Sequence, residues 1–144
     1  MSEKTAYDWL RTKVFLSVDR VDRLENLVVV GMPDVNVCVC GTELWIEIKA
    51  PKEPARAKTA LFASNHKLSQ DQINWMLRQR KANGNAYIFI NTDKRRLLLQ
   101  AKHAESINNM TLAEIKDAAI WKSTTLRSTE EERINLRNAL MAGF

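Results

Sequence analysis

The chain has 144 residues, of which 45% are hydrophobic, so its composition allows one domain with a buried core and excludes a disordered tail. No window approaches the roughly 18 consecutive apolar residues of a membrane-spanning helix, and the N-terminal segment lacks the apolar core of a signal peptide. The net charge of +5 favours an anionic partner, with nucleic acid as the first choice, and we expect a cytoplasmic location.

A helix is predicted near the start of the chain, over residues 3–14. Its basis is a set of side chains that share one face at helical spacing: Glu3, Tyr7, Leu10 and Val14. An extended segment is predicted over residues 17–30, and its final apolar run is expected to be buried.

The stretch GMPDVNVCVCGTELWIEIKAP, residues 31–51, predicts a β-hairpin. Its strands cover residues 34–40 and 43–49, and the turn between them contains Gly41. Cys38 and Cys40 lie two residues apart on the first strand, a spacing that suits neither a disulfide nor a metal site of recognised pattern. We interpret them as two thiols of a sheet in a reducing compartment.

Residues 50–67 contain two prolines and no clean period, which predicts a long basic loop with a short helical piece near 58–63. Ser69 followed by Gln72 matches a capping box, so a helix is expected to begin there and to end at Asn83-Gly84. Two further strands are predicted over residues 86–90 and 97–100.

Two more capping-box patterns predict helices in the C-terminal part of the chain. Thr111 with Glu114 would begin a helix that reaches about Trp121. Ser128 with Glu131 would begin a second helix, over residues 129–142. The element order predicts a single α/β domain with an αβββαβ core over about residues 1–100 and a helical C-terminal extension over about 111–144.

Strand alternation brings charged residues of the hairpin together on one face. Asp34 is expected to lie near Glu47 and Lys49, at the end of the hairpin away from its turn. Two adjacent carboxylates repel unless one is protonated or a cation lies between them, and oxygen ligands suit Mg²⁺ or Mn²⁺. Lys49 would then orient the attacking water or bind the scissile phosphate. The alternative is an exposed polar face of an edge strand, which the Glu-x-Lys tripeptide alone would favour.

Gly31-Met32-Pro33-Asp34 followed by Glu47-Ile48-Lys49 resembles the signature of the PD-(D/E)xK nucleases. The helix and strand over residues 68–90 are similar to those of the VRR-NUC family, whose pattern is matched by Ser69, Gln72 and Trp75. The resemblance covers about residues 1–91. It also suggests kinship with archaeal-type Holliday junction resolvases and a phage origin, in which case the location would be the host cytoplasm.

The resemblance implies a restriction-endonuclease-like fold, a mixed central sheet flanked by helices, and a set of site residues. Asp34 and Glu47 would hold Mg²⁺ or Mn²⁺ together with the backbone carbonyl of Ile48. Lys49 would be the catalytic lysine, and Gln72 would lie beside the site on its helix.

The family also carries a glutamate on the first helix. Glu3 matches it best, because Glu3 shares the face of Tyr7 and Leu10. Glu25, on the segment that leads into the site, is the alternative and would support the site from outside the metal ligands.

Basic residues gather in three further places along the chain. The loop after the hairpin carries four that we expect to contact DNA phosphates: Lys52, Arg56, Lys58 and Lys67. A second group, Arg78, Arg80 and Lys81, is also what an ordinary solvated helix face would show, and a third is formed by Lys94, Arg95 and Arg96. The four tryptophans are expected to be core residues.

These features predict a Mg²⁺-dependent endodeoxyribonuclease that is selective for branched DNA, resembles a Holliday junction resolvase and acts in DNA recombination and repair. Because a four-way junction is cut symmetrically by two active sites, we expect a homodimer. The alternatives are a general, flap or single-strand nuclease of the same family, and a DNA-binding module without catalysis.

Overall fold

The computed structural model describes residues 2–24, 29–62 and 66–142. The described residues form four α-helices and a six-stranded sheet. The helices are α1 Glu3–Trp9, which continues as a π-helical segment Leu10–Val14, α2 Gln70–Lys81, α3 Leu112–Ala118 and α4 Glu130–Met141. The strands are β1 Arg20–Arg23, β2 Val35–Val39, β3 Thr42–Lys49, β4 Ala86–Asn91, β5 Arg96–Gln100 and β6 Trp121–Lys122. Short 3₁₀ turns cover Ala101–His103 and Ile107–Asn109.

The sheet is mixed, and its strand order follows the sequence from β1 to β6. Four of the five strand pairs are antiparallel, and β3 and β4 pair in parallel. A parallel pair needs a crossover connection, and α2 provides it. As a result, the carboxyl ends of β3 and β4 meet at one edge of the sheet, and the chain after β3 must return from that edge into α2. The predicted α/β fold with a mixed sheet flanked by helices is confirmed.

Alternating side chains divide the core between the two faces of the sheet. One face packs Val35, Leu44, Ile46 and Ile48 against α1 and α4. The other packs Ile88, Ile90, Leu97 and Leu99 against α2 and α3. The tryptophans belong to these cores as predicted: Trp121 with Trp9 on the first face, and Trp75 with Trp45 on the second. The odd-numbered side chains of β3 therefore point towards α2, which decides where its charged residues lie.

The hairpin, α1, α2, β4 and β5 were predicted correctly. The extended segment over residues 17–30 was predicted correctly in part, because β1 lies within it, and residues 25–28 lie outside the described part of the chain. Its apolar run was expected to be buried, whereas Val29 and Val30 are exposed, at 41% and 67%. The helical piece near 58–63 is also wrong where the structure describes it, because residues 58–62 form turns and a bridge between Ala60 and Thr111. Residues 63–65 lie outside the described part of the chain.

Two predictions in the C-terminal part of the chain are corrected. The helix from Thr111 ends at Ala118, and Trp121 instead lies in β6, opposite Leu98. The last capping box lies one residue later than expected: Thr129 and Glu132 form it. The sequence Ser-Thr-Glu-Glu-Glu allows a capping box to begin at either Ser128 or Thr129. In the structure the Ser128 carbonyl accepts a hydrogen bond of 2.8 Å from the Arg133 guanidinium.

Cys38 and Cys40 are free thiols, as predicted. Cys40 and Gly41 form the two-residue loop of the hairpin with φ values of +50° and +81°, the combination that a type I′ turn requires. Within the described ranges, no helix is long and apolar enough to cross a membrane.

Candidate active site

The open end of the β2–β3 hairpin brings Asp34 and Glu47 together. The register pairs Val35 with Ile46, so the next pair outward is Asp34 and Glu47. The Asp34 backbone N–H donates to Glu47 Oε2 at 3.2 Å, and the Ile48 N–H lies 3.4 Å from Asp34 Oδ2. The two carboxylates therefore share one corner of the sheet, as strand alternation predicted.

Lys49 completes this corner from the last position of β3. Its Nζ lies 3.8 Å from Glu47 Oε1, and only 9% of the Lys49 side chain is exposed. The ammonium also donates to Gln72 Oε1 at 3.3 Å and to the Lys67 carbonyl at 3.5 Å. A buried lysine with two hydrogen bonds and one ion pair is not the exposed polar face of an edge strand, so that alternative is wrong.

Gln72 connects this corner to helix α2. Its Nε2 donates to Glu47 Oε1 at 2.6 Å, while its Oε1 accepts from Lys49 Nζ and, at 2.9 Å, from the Ser69 N–H. The Ser69 hydroxyl accepts in return from the Gln72 N–H at 3.1 Å, which completes the capping box. Because the capping bond requires the amide oxygen, the amide nitrogen must face Glu47. The same side chain therefore caps the helix and orients the acid.

Gly31 allows the loop before Asp34 to lie against the first turn of α2. It has φ of +84°, and a Cβ at this position would come 2.2 Å from the Asp71 carbonyl oxygen. No other residue type permits so close an approach with this backbone conformation. The role of Gly31 was not predicted beyond its place in the motif, although a glycine three residues before a candidate ligand was the available signal.

Burial makes both carboxyl groups hard to ionise. Burial, followed by the adjacent Asp34 charge, raises the pKa of Glu47 to about 8, although Lys49 opposes the shift. Burial also raises the pKa of Asp34 above its usual value, against the Ile48 N–H and the Lys49 charge. The corner of the sheet thus holds two acids that resist carrying two negative charges without a further cation.

The donor set fits a hard divalent cation. Within the described ranges, no group of three or more acidic, histidine or cysteine side chains could surround a metal. Asp34 and Glu47 offer carboxylate oxygens at a corner where charge is poorly compensated. Mg²⁺ commonly takes one or two carboxylates and fills its remaining positions with water and substrate phosphate oxygens, so two acids suffice.

The predicted glutamate of the first helix is not brought to this corner. Glu3 is exposed in the first turn of α1, which packs through Ala6 and Leu10 on the opposite face of the sheet from α2. Among the described residues, Glu3 has no hydrogen bond or ion pair with Asp34, Glu47 or Lys49. Its role stays a prediction, and Glu25 lies outside the described residues.

The four basic residues predicted to contact DNA are all exposed: Lys52, Arg56, Lys58 and Lys67. Two arginines of the third basic group are instead committed inside the fold. Arg95 binds the Glu53 carboxylate through Nε and Nη2 at 2.8 and 3.1 Å. Arg96 stacks 4.0 Å over the Trp9 ring and donates to the Leu126 carbonyl. Only Lys94 of that group remains available to a partner.

No family model matches the chain, and no curated protein matches it. Among solved structures, the chain is similar to Hjc, a Holliday junction resolvase of the archaeal hyperthermophile Archaeoglobus fulgidus, with a TM-score of 0.58 and 14% sequence identity. The match covers 99% of this chain and 98% of that one. It shows that the chain has the restriction-endonuclease-like α/β fold of that resolvase.

Proposed function

We propose that this chain is a divalent-metal-dependent endonuclease that hydrolyses phosphodiester bonds of branched DNA, in the manner of a Holliday junction resolvase. One observation carries the proposal: Glu47, Lys49 and Gln72 form one bonded cluster beside Asp34, at the corner of a resolvase-like sheet. A binding module has no use for two carboxyl groups that are buried against each other, so the catalytic reading is favoured.

Each residue of the cluster has a task in this proposal. Asp34 and Glu47, with the Ile48 carbonyl, would hold Mg²⁺ or Mn²⁺, which supplies a water of lowered pKa and stabilises charge on the phosphate. The Lys49 ammonium has three N–H donors, and the Gln72 and Lys67 oxygens use two of them. The third can bind the attacking water or a phosphate oxygen. Gln72 would hold the Glu47 carboxylate and the Lys49 ammonium in fixed positions through its two hydrogen bonds.

The DNA would reach the site along the exposed loop that follows β3. Lys52, Arg56 and Lys58 lie on that loop, and Lys67 lies where the chain enters α2. Contacts to phosphates recognise backbone shape and charge rather than sequence, which suits a branched substrate. We further propose a homodimer, since two paired cuts need two sites. The Ser69, Gln72 and Trp75 pattern supports assignment to the VRR-NUC branch.

The decisive experiment is cleavage of a four-way junction and of a linear duplex of the same sequence, each with Mg²⁺ or with EDTA. Wild type would be compared with Lys49→Ala and Glu47→Gln, and with Glu43→Gln as the matched control. Glu43 lies on the same strand and the same face as Glu47, but at the hairpin turn, where it binds Arg20. Paired symmetric nicks in the junction alone, lost in both site variants and retained in the control, are expected.

The other outcomes separate the alternatives. Equal cutting of junction, flap, single strand and duplex would refute the resolvase hypothesis and favour a general nuclease that uses the same residues. Tight DNA binding without metal-dependent cutting would refute both enzyme readings and leave the binding module.

A further inference from the structure

A concave surface lies at the C-terminal end of α2, away from the candidate active site. This cleft, of about 650 Å³, opens between the C-terminal end of α2 and the 3₁₀ turn that follows β5. We name it the α2-end cleft and define it by three cationic residues that line it: Arg80, Lys81 and Lys102. No Asp or Glu is among the described residues that line it. Its volume lies within the range of small-ligand sites, which is roughly 300–1,000 Å³.

The cations of the α2-end cleft are not needed to complete the helix. Basic residues in a last helical turn often serve the free carbonyl groups there. In α2 backbone N–H groups already bind two of those carbonyls: the Asn83 N–H donates to the Arg80 carbonyl at 3.0 Å, and the Gly84 N–H to the Gln79 carbonyl at 2.8 Å. Asn83 has φ of +61°, so this is a Schellman motif that leaves the side chains free.

The same cations are also not spent on ion pairs. Within the described ranges, Arg80, Lys81 and Lys102 make no side-chain hydrogen bond and no salt bridge, in contrast to the internally bound Arg95 and Arg96. Lys102 comes from a different element than α2, so a helix-dipole effect cannot account for its position. Three uncommitted cations from two elements therefore converge on one concave surface.

His103 lies close enough to two of these cations to be affected by their charge. Burial, followed by the neighbouring Lys102 and Arg80 charges, lowers the pKa of this imidazole. Two cations close enough to perturb a third group must repel each other as well. An anion seated among them would relieve that repulsion, so the surface is suited to a negatively charged ligand.

We propose that the α2-end cleft binds backbone phosphates of the same DNA that the candidate active site cuts. This inference rests on the proposed function and extends it to a second point of contact. Gln72 and Arg80 are eight residues apart on α2, which separates them by about 12 Å along the helix axis. That distance corresponds to roughly three or four base pairs of duplex. The cleft would thus hold the arm of the substrate that flanks the cut and fix its direction.

The test compares two variants that remove the same charge from opposite faces of the sheet. The cleft variant is Arg80→Ala with Lys102→Ala. The matched control is Arg11→Ala with Lys13→Ala, two exposed cations beside α1. Binding to a labelled duplex and to a four-way junction is measured by fluorescence anisotropy in EDTA, across a series of NaCl concentrations. Thermal unfolding of each variant verifies the fold.

The slope of the logarithm of the association constant against log[NaCl] is negative, and we expect its magnitude to be smaller by about two in the cleft variant. Binding should weaken at least about tenfold near 100 mM salt. The control should change binding by less than about twofold. An equal loss in both variants, or none in the cleft variant, would overturn the proposal. Since these measurements need no cutting, a protein that binds through the cleft without cleaving would keep this inference and refute the nuclease.

A second measurement identifies what occupies the cleft. His66 and His103 are the two histidines of the chain, so the imidazole signals of His103 are easily assigned by NMR. A short duplex should raise the pKa of His103 in wild type and leave it unchanged in the cleft variant. If inorganic phosphate raises that pKa and DNA does not, the cleft is a site for a small anion, and the DNA proposal fails.

Discussion

Replacing Glu47 by glutamine should stabilise the metal-free protein at alkaline pH while abolishing its proposed activity. The side chain of Glu47 is 2% exposed, and its pKa is raised from 4.5 to about 8. Because a raised carboxyl pKa means that the folded state retains its proton longer than the unfolded state, stability falls as pH rises from 4.5 to 8. At about 1.36 kcal/mol per pKa unit, the loss is roughly 4 to 5 kcal/mol.

The measurement is urea unfolding in EDTA between pH 5 and pH 8.5, for wild type and for Glu47→Gln. The other titrating groups are common to both proteins, so the difference between their stabilities isolates Glu47. We expect similar stability near pH 5 and a variant that is more stable by several kcal/mol at pH 8.5. At pH 8.5, Mg²⁺ or Mn²⁺ should raise the free energy of unfolding of the wild-type protein, because a bound cation favours the ionised carboxylates. The same cations should change the stability of the variant little.

Two results would refute this reasoning. If wild type and Glu47→Gln show parallel stabilities across the pH range, Glu47 is not an acid with a raised pKa. If the variant is the less stable protein at pH 8.5, the hydrogen bonds that the Glu47 carboxylate accepts from Gln72 and from the Asp34 N–H outweigh the cost of its buried charge. Glu43→Gln, at an exposed site on the same strand, should shift stability by less than about 1 kcal/mol at every pH.

Three further predictions concern the site and the contacts that stabilise the fold. Gln72→Glu keeps a capping box but sets a carboxylate against Glu47, so cleavage should fall about 10- to 100-fold, while Glu114→Gln in the α3 box should leave it unchanged in the same assay. Gly31→Ala should cost at least about 2 kcal/mol in urea unfolding, and an unchanged midpoint would contradict the contact with α2. Glu53→Ala should cost about 2 kcal/mol, and the double variant with Arg95→Ala should recover part of it, unlike two independent losses.

The hairpin and its charged corner could be predicted because the relevant signals are local. Alternation along two short strands determines which residues share a face, and one turn determines the register. A capping box likewise needs only four residues to identify the start of α2. Asp34, Glu47 and Lys49 were therefore brought together by sequence reasoning from a single hairpin, and the structure agrees.

The features that were missed depend on contacts between distant segments. Val29 and Val30 are apolar, yet both are exposed, so hydrophobicity alone did not predict their burial correctly. Trp121 continues a helical pattern, yet it leaves α3 because the edge of β5 offers backbone partners. The bond between Gln72 and Glu47 spans 25 residues, and the commitment of Arg95 to Glu53 spans 42. No pattern of neighbouring residues in the sequence indicates either bond.

The double use of Gln72 has a consequence for how the site can be observed in solution. The Ser69 amide hydrogen is held by the same oxygen atom that contacts Lys49. Any event that draws Lys49 towards a phosphate, or Glu47 towards a cation, must also change the bond that protects this one amide. The hydrogen-exchange rate of the Ser69 amide should therefore change when DNA or a metal ion occupies the site. That rate can be measured at a single backbone position without labelling either DNA or metal.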